Sequence, residues 1–231
     1  MTAYLSSLAP QKITKALNAR GIRTVALPAF SALSSPVDSH ADMLLLDADG
    51  SLFVYEGYSF EGIEELRSKF SSVTAISAPK SSDYPHDVAL NVAIVGSRVL
   101  ANTKSASPVA LDYLESIGKT VLHVNQGYAH CSVCTVSDNA IITADQGIAR
   151  AADKSGISVL LIDSGHVALP PYDHGFIGGA SGSDEKNVYF CGSLAHHPNG
   201  EDIKSFCLLH GKTPVELSDS PLFDIGGILI K

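Results

Sequence analysis

The chain contains no tryptophan, only two methionines among its 231 residues, and four cysteines. No apolar run approaches the roughly 18 residues needed to cross a bilayer, so a membrane span is excluded. The opening stretch, MTAYLSSLAPQKITKALNARG, has no basic region followed by an apolar block. No secretory signal is therefore expected, and a cytoplasmic location is. Basic residues are also scarce, with 16 Lys and Arg against 24 Asp and Glu, a formal charge of −8. Nucleic acid is not an expected partner, because a phosphate-binding face needs clustered cations. A cationic ligand is compatible with this balance. At 45% hydrophobic residues, the chain can still bury a large core.

The few cysteines exclude more than they suggest. Without an oxidising compartment, Cys131, Cys134, Cys191 and Cys207 do not form an expected disulfide framework. Cys131 and Cys134 have metal-ligand spacing, but Cys191 and Cys207 lie sixteen apart and supply no second pair. A thioredoxin-like redox pair needs the start of a helix, whereas SVCTV has β-branched, strand-like character. No metal and no cofactor are expected.

What is present is repetition. LNARGIRTVAL, LRSKFSSVTAI, LESIGKTVL, AADKSGISVLL and LLHGKTPVEL each read as a helix end, a stop and a short β run. In four of them the stop is a glycine, at positions 21, 118, 156 and 211, suited to the left-handed residue that closes a helix. Val25, Val73, Val121, Val159 and Val215 open the β runs at intervals of 48, 48, 38 and 56 residues. A fifth interval of 41, counted round through the two ends, uses up the chain. Upstream of the helices, DMLLLDADGSLFV, NVAIVGSRVLA, CSVCTVSDNAIIT and FIGGASGSDEKNVYFC read as hairpins, and FDIGGILIK as half of one. The expected unit is ββαβ. The expected fold is α/β, one domain over 1–231, a five-fold pseudosymmetric propeller closed by the N- and C-terminal segments. A two-layer α/β domain with similar helix stops is the alternative.

Five such units resemble the pentein superfamily, the α/β-propeller fold of guanidino-group-modifying enzymes. These include arginine and agmatine deiminases, dimethylarginine dimethylaminohydrolase and amidinotransferases. The superfamily also includes translation initiation factor six, a non-catalytic ribosome-binding protein. QGYAHCSVC, IITADQGIA and YDHGFIGGASG most resemble a small, uncharacterised pentein family. His40-Ala41-Asp42 resembles the His-x-Asp of the guanidino enzymes, in which the histidine is a general acid/base and the aspartate holds the guanidinium. On a strand, positions i and i+2 would share a face. The resemblance also implies a cysteine nucleophile two units further round the ring. Those enzymes usually carry it in the last unit, which here has none, so a circular permutation is implied, and Cys131 falls at the required place. The bland reading of Cys131 is a small buried residue.

By the same alignment, Asn91 and Asp224 open equivalent strands, and Asp184 and His174 are further candidates for contacting substrate. Asp184 is the only acidic residue in the fourth unit, and the hairpin turn is its other possible place. The expected activity is a cysteine-dependent hydrolase or amidinotransferase acting on a small guanidino or amidino compound. The alternative is a non-catalytic module that binds a small ligand or, like the initiation factor, a ribosome.

Overall fold

The computed structural model describes residues 1–231. In chain order the elements are β1 (Thr2–Ser6), α1 (Gln11–Asn18), β2 (Arg23–Leu27), α2 (Ala41–Leu44), β3 (Leu45–Ala48), β4 (Ser51–Tyr55), α3 (Ile63–Arg67), β5 (Ser72–Ile76), β6 (Ala93–Val95), β7 (Arg98–Ala101), α4 (Pro108–Ser116) and β8 (Thr120–His123). There follow β9 (Val133–Ser137), β10 (Ala140–Thr143), α5 (Gln146–Lys154), β11 (Ser158–Leu161), β12 (Val167–Ala168), β13 (Ser181–Ser183), β14 (Asn187–Phe190), α6 (Gly200–Leu209), β15 (Thr213–Glu216), β16 (Leu222–Phe223) and β17 (Leu229–Ile230). No helix is long and apolar enough to cross a membrane.

Five three-stranded sheets share one topology. In β3-β4-β5, β6-β7-β8, β9-β10-β11 and β13-β14-β15, an antiparallel hairpin is followed by a helix and a third, parallel strand. The fifth sheet, β17-β1-β2, assembles the same pattern from the two ends of the chain. A short two-stranded sheet, β12-β16, is additional and was not expected from the sequence.

Local chemistry explains the helices. In α1, Ile13 and Leu17 fall four apart and are the buried positions. Ser107 caps α4, accepting from the Ala110 N–H, and Asp145 caps α5, accepting from Gly147 and Ile148. Past the helix ends, Gly21, Gly118, Gly156 and Gly211 all have φ between 74° and 85°. A β-carbon is penalised in that region, so glycine is the residue that reverses the chain there.

The core is distributed between sheets. One apolar cluster joins Tyr4 and Leu27 of the terminal sheet to Phe53 and Val99. A second joins Leu100 to Ile141, a third Ile142 to Phe190, and a fourth Tyr189 back to Leu5. Each sheet therefore buries its faces against the two that neighbour it, and the first strands are held near one another by contacts on both sides.

Candidate active site

The residues just before the first strands of the five sheets converge. His40 and Asp42 precede β3, Asn91 precedes β6, Cys131 precedes β9, Gly178 and Gly179 precede β13, and Asp224 and Gly226 precede β17. His40, Asp42, Asn91, Cys131 and Asp224 are all buried. The Asn91 side-chain amide donates to the Asp42 carbonyl at 3.1 Å and to Cys131 Sγ at 3.0 Å. Its oxygen accepts from the backbone N–H groups of His130 (2.7 Å) and Cys131 (3.2 Å). The Asp42 N–H donates to the Gly226 carbonyl at 3.0 Å, and Gly179 N–H to the Cys131 carbonyl at 3.0 Å. Asp224 accepts from Phe176 N–H and Gly226 N–H, each at 2.9 Å, and its Oδ1 lies 3.8 Å from His40 Nδ1.

Two details differ from the sequence expectation. His40 and Asp42 do not lie on a strand. His40 precedes the one-turn helix α2, and its carbonyl accepts from the N–H groups of Met43 and Leu44. Asp42 is held by the helical turn and by Gly226 rather than by a sheet ladder. Asn91, expected to meet substrate, has both ends of its amide engaged by protein groups. It is a positioning residue that ties the Cys131 turn to the Asp42 turn.

The electrostatics are those of a desolvated, acid-rich site. Neither Asp42 oxygen makes a hydrogen bond of good geometry, and the Cys131 thiol lies close enough to favour the charged carboxyl slightly. Burial, reinforced by the charge of Asp224, pushes the Asp42 pKa up to about 7. Burial likewise raises Asp224 to about 6, partly opposed by the N–H groups of Phe176 and Gly226. Burial pushes His40 down to about 4. The Cys131 thiol is pushed up, first by burial and then by the two carboxylates, with Asn91 opposing. Near neutral pH the thiol is therefore protonated and the imidazole uncharged. The sequence expectation that a charged His40 would lower the thiol pKa is not met by this resting state. A partly ionised carboxyl, a second carboxylate and a protonated thiol remain together, which is an environment a cation would relieve.

Aromatic rings cover one side. Tyr128 and Phe176 pack on the apolar cluster that contains Cys131. Their rings stack at 6.2 Å, with Tyr84 stacked on Tyr128 at 5.7 Å. The Tyr128 hydroxyl donates to the buried Asp87 carboxylate at 2.6 Å. On the other side Asp42 and His130 border a cavity of about 230 Å³, whose walls include Leu46, Ile94, Thr135, Ser183 and Ile230, one from the first strand of each sheet.

Asp184 and His174 stand apart from this cluster. Asp184 sits in the β13–β14 turn, beyond the far end of β13 from Gly178, where it accepts from the N–H groups of Lys186 and Asn187 and from the Tyr189 hydroxyl. A carboxylate with those three donors is a turn-closing group, so it is not placed to contact a ligand of the cluster. His174 is on the exposed side of the Phe176 segment, with Nδ1 3.0 Å from the Gly175 carbonyl. Asp87, Tyr128 and Phe176 were not singled out as cluster neighbours by sequence reasoning, since only the tertiary structure stacks residues 84, 128 and 176.

The glycines here are steric requirements. A β-carbon on Gly226 would sit inside the His40 side chain, and its φ of +73° is also unfavourable to other residues. One on Gly179 would occupy the space of the Asp224 carboxylate. Gly226→Ala is expected to cost about 2–4 kcal/mol, the range for strain combined with overpacking. Chemical denaturation at pH 7 measures it, and a cost under about 0.5 kcal/mol would contradict the packing described.

Solved structures of similar fold include three named enzymes. The fold matches DDAH from Pseudomonas aeruginosa, a Cys-to-Ser mutant in complex with citrulline, with a TM-score of 0.59 at 9% identity, over 94% of this chain and 91% of that one. It matches an amidinotransferase from the saxitoxin biosynthetic pathway of Microseira wollei with a TM-score of 0.54 at 11% identity, over 90% and 73%. Agmatine deiminase from C. jejuni matches with a TM-score of 0.54 at 9% identity, over 94% and 86%. The chain thus has the fold of the pentein superfamily. The chain belongs to a family of unknown function, DUF6873, whose profile matches residues 4–229. No curated protein matches it in sequence.

Proposed function

We propose that the protein is a cysteine-dependent enzyme acting on a small guanidino or amidino compound, with its five sheets arranged as a closed five-bladed propeller around the site. The ring reading is supported by the shared sheet topology, by a terminal sheet built from both ends of the chain, and by one cavity bordered by all five first strands. The observation that carries the functional reading is the Asp42 carboxyl, buried without a hydrogen bond of good geometry beside a second carboxyl and a thiol. A planar guanidinium supplies several N–H donors in one plane and neutralises that charge. The relatives in fold act on or bind compounds of this type by their names, which agrees with the reading.

In this scheme the bound cation offsets the charge of Asp42 and Asp224, and the Cys131 pKa falls. The Cys131 proton passes to His40 and the sulfur adds to the guanidinium carbon. The C–N bond to the leaving amine breaks as His40 returns the proton to that nitrogen. His40 then takes a proton from water, whose oxygen adds to the amidino carbon. The C–S bond breaks, His40 returns its proton to the sulfur, the added oxygen gives its remaining proton to the released amine or solvent, and a urea-type product leaves. An amine acceptor in place of water would give amidine transfer by the same steps.

The test is a panel of guanidino and amidino compounds assayed for ureido product and released amine. It is paired with 2-chloroacetamidine labelling mapped by mass spectrometry. Product formation with labelling at residue 131 is expected. A protein stabilised by a guanidino ligand without turnover would be a binding module instead. Absence of turnover, labelling and stabilisation alike would overturn the reading.

A further inference from the structure

A second cavity, of about 190 Å³, lies between the 162–167 loop and the segment His174–Ile177. Two buried polar residues border it, Ser132 and His197. Neither Ser132 Oγ nor His197 Nε2 makes a hydrogen bond of good geometry within the protein, and the acceptor that the imidazole approaches is the Asp163 backbone. The other polar atoms of these residues are accounted for. Ser132 donates its N–H to the Tyr128 carbonyl at 3.0 Å, and its carbonyl accepts from the Thr143 hydroxyl at 2.8 Å. His197 Nδ1 accepts from the Asn199 N–H at 3.0 Å. That contact fixes the tautomer of the neutral ring, leaving the proton on Nε2. His197 therefore offers a donor here and not a lone pair for a metal, and no group of three or more His, Cys, Asp and Glu side chains has metal-binding geometry.

Buried polar groups are normally paired, so a hydroxyl and an imidazole N–H without well-formed bonds on one cavity leave room for an acceptor. The carboxylates nearby do not serve as that acceptor. Asp145 is taken up by capping α5 through the Gly147 and Ile148 N–H groups, and Asp163 is exposed on the loop. At the rim the backbone N–H groups of Ser164, Gly165 and His166 make no hydrogen bond within the protein, and the His166 ring packs edge-on to His197 at 5.1 Å.

We propose that this cavity binds a small oxyanion, a carboxylate or a phosphate, with the Ser132 hydroxyl and His197 Nε2–H as its buried donors. The cavity adjoins the Cys131 cluster through Ser132 and Phe176, but the proposal does not depend on the function proposed for that cluster. Titration calorimetry with sodium acetate and with sodium phosphate, at matched ionic strength with sodium chloride as reference, tests it. Saturable binding of one of the two anions is expected, and which one binds identifies the group recognised. Ser132→Ala, which is nearly isosteric, should weaken binding about tenfold, the usual scale for one lost hydrogen bond to a charged group. His197→Gln should weaken it by a similar factor. Binding no different from chloride would mean that the cavity holds water only. Binding unchanged in both variants would place the anion elsewhere. Either result overturns the proposal.

Discussion

Cys131→Ser should abolish covalent capture of 2-chloroacetamidine, and should lower turnover of any guanidino substrate by on the order of 10³-fold or more. A hydroxyl in that position has the same size but not the nucleophilicity or the accessible pKa of a thiol. The fold should tolerate the change, because Asn91 can donate to an oxygen as it does to Cys131 Sγ. The other three cysteines serve as internal controls. Cys134, Cys191 and Cys207 are buried, and burial raises their pKa. Cys134 and Cys207 share one apolar cluster and Cys191 lies in another. Amidine labelling that persisted in the Cys131→Ser variant, on any of these three, would remove the nucleophile from the scheme.

Asp42→Asn should act in opposite directions on chemistry and on stability. The amide retains the shape but cannot neutralise a guanidinium, so labelling and turnover should fall by on the order of 10²–10³-fold. The same change should stabilise the unliganded fold at neutral pH and above. The Asp42 pKa is about 7 in the folded protein against an ordinary 3.8. The folded state thus holds a proton that the unfolded chain has released, and stability declines as pH rises through that interval. At about 1.4 kcal/mol per pKa unit, the full effect is on the order of 4 kcal/mol, complete above pH 7. His40 and His130 work in the other sense. Each has a pKa of about 4 against 6.5, so each removes stability as pH falls from 6.5 to 4. The native profile is flattened by this opposition. Asp42→Asn should be steeper between pH 4 and 6.5 and should melt higher than the native protein at pH 8. Thermal melts across pH 4–8 measure both. A variant less stable than native at pH 8 would mean that Asp42 already has a partner in the folded chain.

Much of the scaffold was legible because its signals are local. A glycine after an amphipathic run marks a helix end whatever surrounds it, and the turns Asp49-Gly50 and Gly96-Ser97 announce their hairpins in two residues. Positions 40, 42 and 131 were reached through the resemblance to the guanidino enzymes and positions 91 and 224 by aligning strand starts, and the structure brings the five together. The geometry of the first pair was not legible. ADMLLLDA is a run of apolar residues too short to distinguish one helical turn from the start of a strand. Asp184 shows the limit in another way, since an aspartate after Gly-Ser reads equally as a ligand or a turn. The three-ring stack was out of reach, because Tyr84, Tyr128 and Phe176 come from three separate loops.

That stack has a spectroscopic consequence. With no tryptophan in the chain, ultraviolet-excited emission comes from its eight tyrosines alone. Two of them, Tyr84 and Tyr128, belong to the aromatic cover, and the Tyr128 phenol is bonded to a carboxylate. A change in the packing of those rings would alter the surroundings of a quarter of the tyrosines, so ligand binding beneath them has an intrinsic optical readout without an added dye.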